Sequence, residues 1–367
     1  MRRRQAFGGR LDRYVGTHFA ASYALVAGLL VGLFIVLDAA SHLEGWMEES
    51  SDGPPATLLQ VLKYYSLSLP YIVLQVAPFA TLMAAMFTVN KLLRKNEIAP
   101  ILSAGVSAHR TLLPVYLAAL LMATTMIGLR EVSGRWIAGS RDSLYHQLEE
   151  RQEEVEYHGV IVRNLDGSWA ILERYLPDAR EGPTVFGLTV KLREDGRFTK
   201  IEAPWARWEG GHWRLLDGLR TELVRDAEVR SAPVSVLEGV DLSPDLVETY
   251  RRAKGAPMEL TLGEVSTLLQ REPDQPAWAT LWHYHLTFAL ANLILVLVGV
   301  PLMFNHERSR GTERLALGGL LCVFYFALDF VLRTLGLNGS VSPVLASWAP
   351  VLAFGTVGVF LTEAMRT

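Results

Sequence analysis

The amino-acid sequence predicts an α-helical membrane protein, six transmembrane helices arranged three plus three, with an all-β domain inserted between the two triplets. Three observations carry that prediction. Half of the 367 residues are hydrophobic, and they concentrate in 16–130 and 278–365. The intervening residues 131–276 are polar and carry 19 basic against 27 acidic side chains. Basic residues gather at alternate ends of the apolar runs, as expected of a chain that crosses a bilayer repeatedly.

A helix needs about 20 mostly apolar residues to cross the hydrocarbon core. Residues 16–37, 65–90, 111–130, 278–304, 315–336 and 344–364 meet that length. Arg2, Arg3, Arg4, Arg10 and Arg13 precede the first span, and Phe19–Leu37 runs for 19 residues. That exceeds the roughly 7–15 of a signal-peptide core, so the span reads as a retained helix. Lys91, Arg94, Lys95 and Arg110 follow the second span; Arg308, Arg310 and Arg314 follow the fourth; Arg366 follows the sixth. Loops 38–60 and 337–343 carry no Lys or Arg, and the first is acidic at Glu44, Glu48, Glu49 and Asp52. The expected topology places both termini in the cytoplasm and 131–276 outside. The domains are then 1–130 with a cytoplasmic loop at 91–110, 131–276, and 277–367. Ala20, Ala24, Gly28 and Gly32 recur every fourth residue in the first span, making one smooth helix face. Such a face packs on a helix of the same chain, or is a seam that another subunit meets or that opens sideways. Pro70 and Pro78 predict kinks in the second span.

Between the triplets, runs rich in Val, Ile, Trp and Thr alternate with turn sequences. Val155–Arg163 and Ser168–Leu176 flank Asp166-Gly167, and Val185–Arg193 and Arg197–Ala203 flank Asp195-Gly196. Gly210-Gly211 precedes His212–Leu216, and Leu219–Arg225 follows. Short strands at this spacing predict a sandwich or open barrel. Residues 131–154 read as a helix continuing from the third span. Thr261-Leu-Gly-Glu264 fits a capping box opening a short helix to about Gln270.

The composition and motifs exclude several chemistries. An acidic domain repels phosphate backbones, which excludes nucleic acid as a partner. Cys322 is the single cysteine, so no internal disulfide can form. There is no phosphate-binding G-x-x-x-x-G-K-[ST] loop and no H-E-x-x-H; His306-Glu307 is an isolated dipeptide. His283 and His285 lie two residues apart, on different helix faces, and cannot easily share a metal. No catalytic residue, metal site or cofactor is assigned, and the chain is not expected to be an enzyme by itself. Asp329 and Arg333 lie one turn apart inside the fifth span. Ionisable residues there neutralise one another or meet a polar head group.

The loop after the second span reads Lys91-Leu-Leu-Arg-Lys-Asn-Glu97-Ile-Ala-Pro100-Ile-Leu-Ser-Ala-Gly105-Val-Ser107. Asn96 or Pro100 is expected to open a short helix suited to docking on a cytoplasmic protein. Leu11-Asp-Arg-Tyr14 opens the first span, and Gly318 to Asp329 includes Val323-Phe-Tyr-Phe-Ala-Leu-Asp329. With the layout of the whole chain, these segments resemble the lipopolysaccharide-export permease family LptF/LptG, on its LptG side.

The resemblance implies a permease subunit of an ABC exporter in the bacterial inner membrane, with a periplasmic jellyroll domain. It implies pairing with a second LptF/LptG-type permease on an LptB-like ATPase dimer, which binds the ATP. It also implies transfer of lipopolysaccharide or a related amphiphile through a lateral gate at the first and fifth helices to LptC/LptA-like bridge proteins. Glu97, Gly105 and Ser107 match the coupling pattern, with Glu97 at the ATPase; a helix-start carboxylate favoured by the dipole is the plainer alternative. One departure is evident. LptG-type chains carry lysines at the outer end of the first helix, whereas Asp38-Ala-Ala-Ser-His42-Leu-Glu44 has none. An envelope scaffold or sensor without transport is the alternative function, and a lipid-modifying enzyme resting on His283 or His285 a more distant one.

Overall fold

The computed structural model describes residues 9–47, 55–149, 156–177, 179, 181–194, 197–224, 227–305 and 311–365. Arg2, Arg3, Arg4, Glu48, Glu49, Asp52, Val155, Asp195-Gly196, Arg225, His306-Glu307, Arg308, Arg310 and Arg366 lie outside the described residues. The helices are α1 Arg10–Met47, α2 Leu58–Arg94, α3 Ile98–Ser103, α4 Ala108–Trp136 and α5 Ala138–Glu149, then α6 Pro244–Gly255, α7 Leu262–Arg271, α8 Pro276–Asn305, α9 Gly311–Leu337 and α10 Pro343–Glu363. Among the described residues six helices are long and apolar enough to cross a membrane: α1, α2, α4, α8, α9 and α10. Most outrun the apolar segments that announced them, because backbone hydrogen bonding continues through polar residues that hydropathy does not register.

The chain divides into two compact units. The first comprises the described parts of Met1–His42, Tyr65–Ser133 and Ala279–Thr367. Its core runs through Leu82, Met86, Val89 and Leu92 of α2, Leu112 and Val115 of α4, Leu295 and Val300 of α8, and Tyr325 of α9. A Cβ on Gly299 would meet Leu82 at 2.3 Å, and one on Gly318 would meet Met86 at 2.1 Å. These glycines of α8 and α9 leave the volume that two large α2 side chains fill. Thr81 and Asn292, both fully buried, meet at 2.7 Å and join α2 to α8 by a polar contact. Pro70 and Pro78 both lie inside the continuous helix α2.

The second unit comprises the described parts of Leu43–Tyr64 and Gly134–Trp278. Its strands are β1 Tyr157–Arg163, β2 Trp169–Leu176, β3 Thr184–Glu194, β4 Arg197–Glu209, β5 His212–Val224 and β6 Ala227–Leu237. They form one antiparallel sheet in the order β1-β2-β3-β4-β5-β6, an up-and-down meander. Alternation places Val160, Val162, Ala170, Leu172, Leu188, Val190 and Ile201 in the interior. At the Asp166-Gly167 turn the Ser168 N–H donates to the Asp166 carboxylate at 2.9 Å. Gly210 and Gly211, at φ +59° and +88°, supply the positive dihedrals of the β4–β5 hairpin.

The expected helix 131–154 is broken at Ile137 into the end of α4 and α5, with 150–154 outside the described residues. Three further features differ from the sequence expectation. The segments His212–Leu216 and Leu219–Arg225 belong to one strand, β5, with a register irregularity against β6 between Arg214 and Gly218. Asp217-Gly218 reads like a turn but is a bulge where β6 comes close: a Cβ on Gly218 would meet the Val234 carbonyl oxygen at 2.3 Å. Strand β6 was not anticipated, because Pro233 interrupts it; the proline is tolerated where β6 pairs with β5 alone. Helix α6 was also not anticipated. Its signal is Ser243-Pro244: the Ser243 hydroxyl accepts from the Leu246 N–H at 3.3 Å and Pro244 occupies the first turn.

The expected capping box is present at the start of α7. The Thr261 N–H donates to Glu264 at 2.7 Å, and the Glu264 N–H donates to the Thr261 hydroxyl at 3.1 Å. The other Glu264 oxygen accepts from Arg252 at 2.6 Å. Nearby, Asp142 of α5 accepts from both Arg141 and Arg251, each at 2.8 Å. Arg141 also donates to Glu259, and Arg251 to Glu248. These charges tie α5, α6 and the 3-10 turn Pro257–Glu259 together.

Gly134, at the end of α4, fits against this box: a Cβ there would meet the Thr261 methyl at 2.2 Å. Gly134→Ala should therefore destabilise the protein by about 1–3 kcal/mol through overpacking. Adding Thr261→Ser removes the methyl, keeps the capping hydroxyl and should restore most of the loss in thermal unfolding of the detergent-solubilised chain. Burial acts to raise the Asp142 carboxyl, but Arg141 and Arg251 outweigh it and hold it below the usual carboxylate value. A depressed folded value stabilises above the ordinary carboxylate range, and that contribution is lost as pH falls through it. Unfolding temperature should fall more steeply below about pH 4 for the wild type than for Asp142→Asn.

Candidate functional site

The segment joining α2 to α4 is shaped by two consecutive helix terminations. At the end of α2 the Asn96 N–H donates to the Leu93 carbonyl and the Glu97 N–H to the Leu92 carbonyl, both at 3.0 Å. Asn96 is left-handed at φ +54°. At the end of α3 the Gly105 N–H donates to Leu102 at 2.9 Å and the Val106 N–H to Ile101 at 3.2 Å, with Gly105 at φ +80°. Both are Schellman closures, which require one left-handed residue each. Asn96 thus ends α2 instead of opening α3, correcting the expectation for it. Pro100 is the third residue of α3 rather than the first, still within the turn whose N–H groups have no helical partner.

The three residues of the coupling pattern therefore have different tasks locally. Gly105 ends α3. Ser107 opens α4: its hydroxyl accepts from the Arg110 N–H at 3.3 Å. Glu97 occupies the cap position of α3 but makes no capping hydrogen bond with its side chain. Its carboxylate instead accepts from the Tyr14 hydroxyl, which lies 2.9 Å from one oxygen and 2.8 Å from the other. Lys95 Nζ lies 3.7 Å away, and the Glu97 side chain stays 31% exposed, within reach of a molecule approaching the loop.

A second contact ties the far end of this segment to α1. Arg110 donates through both terminal nitrogens to the two oxygens of Asp12, a fork-to-fork pair, with the Nη2 contact at 2.8 Å. Asp12 is 6% exposed and also accepts from the Gly9 N–H at 3.1 Å. The Tyr14 ring stands edge-on to His18 at 4.4 Å, and the His18 Nδ1 lies 3.4 Å from Lys91 Nζ. Sequence reading singled out Leu11–Tyr14 and Glu97–Ser107 separately and did not pair them. The 83 residues between Tyr14 and Glu97 hide the contact from any local pattern.

The structure also places the remaining candidates. Ala20, Ala24, Gly28 and Gly32 are all exposed, and a Cβ on Gly28 or Gly32 would meet nothing within 4 Å. Leu25, Leu29, Leu33, Val36 and Leu37 are exposed as well, so this length of α1 presents uncovered apolar surface. Asp329 of α9 is buried, and the Arg333 guanidinium lies over the Tyr284 ring at 4.5 Å. Asp38 accepts from the Tyr65 hydroxyl at 2.9 Å and lies 3.7 Å from His42, which engages the acidic end of α1 within the chain. His285 Nδ1 lies 2.6 Å from the Leu281 carbonyl oxygen, whereas His283 faces the Trp348 indole at 3.4 Å, so the two imidazoles have separate neighbours.

A six-helix membrane bundle split by a β-domain, with a short helix between its second and third spans, has the architecture of a multi-pass membrane protein. A family model described as lipopolysaccharide export system permease LptF/LptG matches residues 13–364, and the chain belongs to that family. The lipopolysaccharide export system permease protein LptG of Escherichia coli K12 is 21% identical over 96% of this chain and 98% of its own length. LptG of Escherichia coli O6:H1 gives the same identity and coverage. The protein is thus a permease of the inner membrane, a transporter subunit that does no catalysis by itself.

Two substitutions test the loop geometry. Gly105→Ala forces a side chain into a left-handed position, and Ser107→Ala removes the α4 cap. Each should cost about 1 kcal/mol, seen as roughly fivefold faster amide exchange in 98–110.

Proposed function

We propose that this permease is the transmembrane subunit of an ABC exporter that extracts lipopolysaccharide or a related amphiphile and passes it toward a periplasmic bridge. An LptB-like ATPase dimer binds the 91–110 loop around Glu97 and supplies the ATP hydrolysis. A second permease of the same family completes the membrane unit, and LptC/LptA-like proteins receive the lipid. Gly105 and Ser107 set the shape in which the loop meets the ATPase.

The observation that carries the reading is Glu97: a partly exposed carboxylate on a short helix between two spans, free of any capping duty. The uncovered face of α1 supports its use as a seam, since Ala20, Ala24, Gly28 and Gly32 let another helix or a lipid chain approach closely. Asp329 and Arg333 are assigned to the passing head group, because the chain lacks basic residues in 38–44. Both termini lie in the cytoplasm and 131–276 in the periplasm on this reading, which the distribution of Lys and Arg supports. The three domains are 1–130, 131–276 and 277–367.

Glu97→Lys reverses the charge offered to the ATPase. It should lower recovery of the nucleotide-binding subunit in pull-down by at least tenfold and abolish ATP-dependent lipid release from proteoliposomes. Unchanged recovery and release would remove Glu97 from the coupling contact.

A further inference from the structure

We propose that the first turns of α1 form a two-point clamp on the coupling segment, so that movement of that segment turns α1 directly; this rests on the ATPase-coupling reading above. The clamp holds both ends of the segment. Glu97, immediately before α3, accepts from Tyr14, and Arg110, in the first turn of α4, pairs with Asp12. Between these points lie α3 and the two Schellman closures, which make the segment a compact body rather than a slack loop.

The spacing on α1 determines what the clamp transmits. Asp12 and Tyr14 are two residues apart, about 200° around the helix, and so grip different sides of it. One contact would allow α1 to pivot. Two contacts on different sides fix its rotation about its own axis. Between them Val15 and, one turn later, Phe19 are buried in the bundle core, which gives the turn a bearing surface. A hydrogen-bonded helix is stiff over this length, so rotation at 12–14 re-aims the uncovered face at Ala20, Ala24, Gly28 and Gly32. The carboxylate that meets the ATPase and the face that meets the lipid are then linked through one tyrosine hydroxyl and one arginine fork. Tyr14, Asp12 and Arg110 are positioning residues in this scheme; they act through Glu97 and α1 rather than on the lipid.

The test is a spin-label distance measurement on the permease purified with its nucleotide-binding partner in lipid nanodiscs. Labels go on Leu33→Cys of α1 and Phe324→Cys of α9, both exposed positions, in a Cys322→Ala background. The parent should show a different label distance when nucleotide-free and when trapped with ATP and vanadate. Tyr14→Phe, which keeps the ring and removes only the hydroxyl, should reduce that change at least twofold while the partner remains bound. Asp12→Asn should do the same, and the exchanged pair Asp12→Arg with Arg110→Asp should recover part of it. An undiminished change in Tyr14→Phe, or no nucleotide response in the parent, overturns the clamp. Retention of the partner in Glu97→Lys, whatever the label distance does, overturns the underlying coupling reading instead.

Discussion

The fit of α2 into the C-terminal half of the bundle is the contact on which the rest of the membrane unit depends. Leu82 and Met86 occupy the volumes that Gly299 and Gly318 leave open, at distances where even one added carbon would collide. Within a bilayer no hydrophobic gain drives helices together, since lipid tails are as apolar as the side chains they replace. Close approach and interhelical polar contacts have to supply the attraction, and the Thr81–Asn292 pair adds a buried one alongside the glycines. This seam joins helices more than 200 residues apart in sequence. It makes one bundle out of two triplets that the β-domain separates along the chain.

Placing α2 at the centre determines the setting of α1. The apolar window of α2 is 72% buried within the chain, and that of α1 only 6%. Helix α1 is held near its ends, through Asp12, Tyr14, Val15 and Phe19 at one and Asp38 at the other, and at mid-length by Val26, which packs with Ala80 and Met83 of α2. Its middle carries the small-residue face and presents it to whatever surrounds the chain. Its exposed face leaves α1 with fewer buried contacts than α2, whose movement would disturb Leu82, Met86, Val89 and Leu92 together.

The sequence carried most of the architecture because hydropathy and turn chemistry are local. The six spans, the Asp166-Gly167 turn and the Thr261–Glu264 capping box each depend on residues a few positions apart. What escaped depended on distant neighbours. Asp217-Gly218 is a bulge only because β6 runs beside it, and β6 itself is concealed by Pro233. Asn96 resembled a cap for the following helix, yet its left-handed φ closes the preceding one, a distinction made by hydrogen bonds to Leu92 and Leu93. Whether the Ala20–Gly32 face met its own chain was undecidable from spacing, since both alternatives want small residues. A Cβ at Gly28 or Gly32 would meet nothing within 4 Å among the described residues, an observation that spacing alone cannot supply.

The segment from Glu97 to Ser107 shows how one short pattern divides its labour. Glycine and serine at 105 and 107 act on backbone geometry: they end one helix, begin the next and bring Arg110 to Asp12. Of these three residues Glu97 carries the charge, and its carboxylate accepts from Tyr14 within the chain. A cationic group approaching Glu97 must therefore share it with the tyrosine or displace it. Sharing leaves α1 attached to the segment; displacement releases the Tyr14 tie while Asp12 keeps its own to Arg110. Either way α1 is affected, because both Glu97 oxygens accept from its Tyr14 hydroxyl.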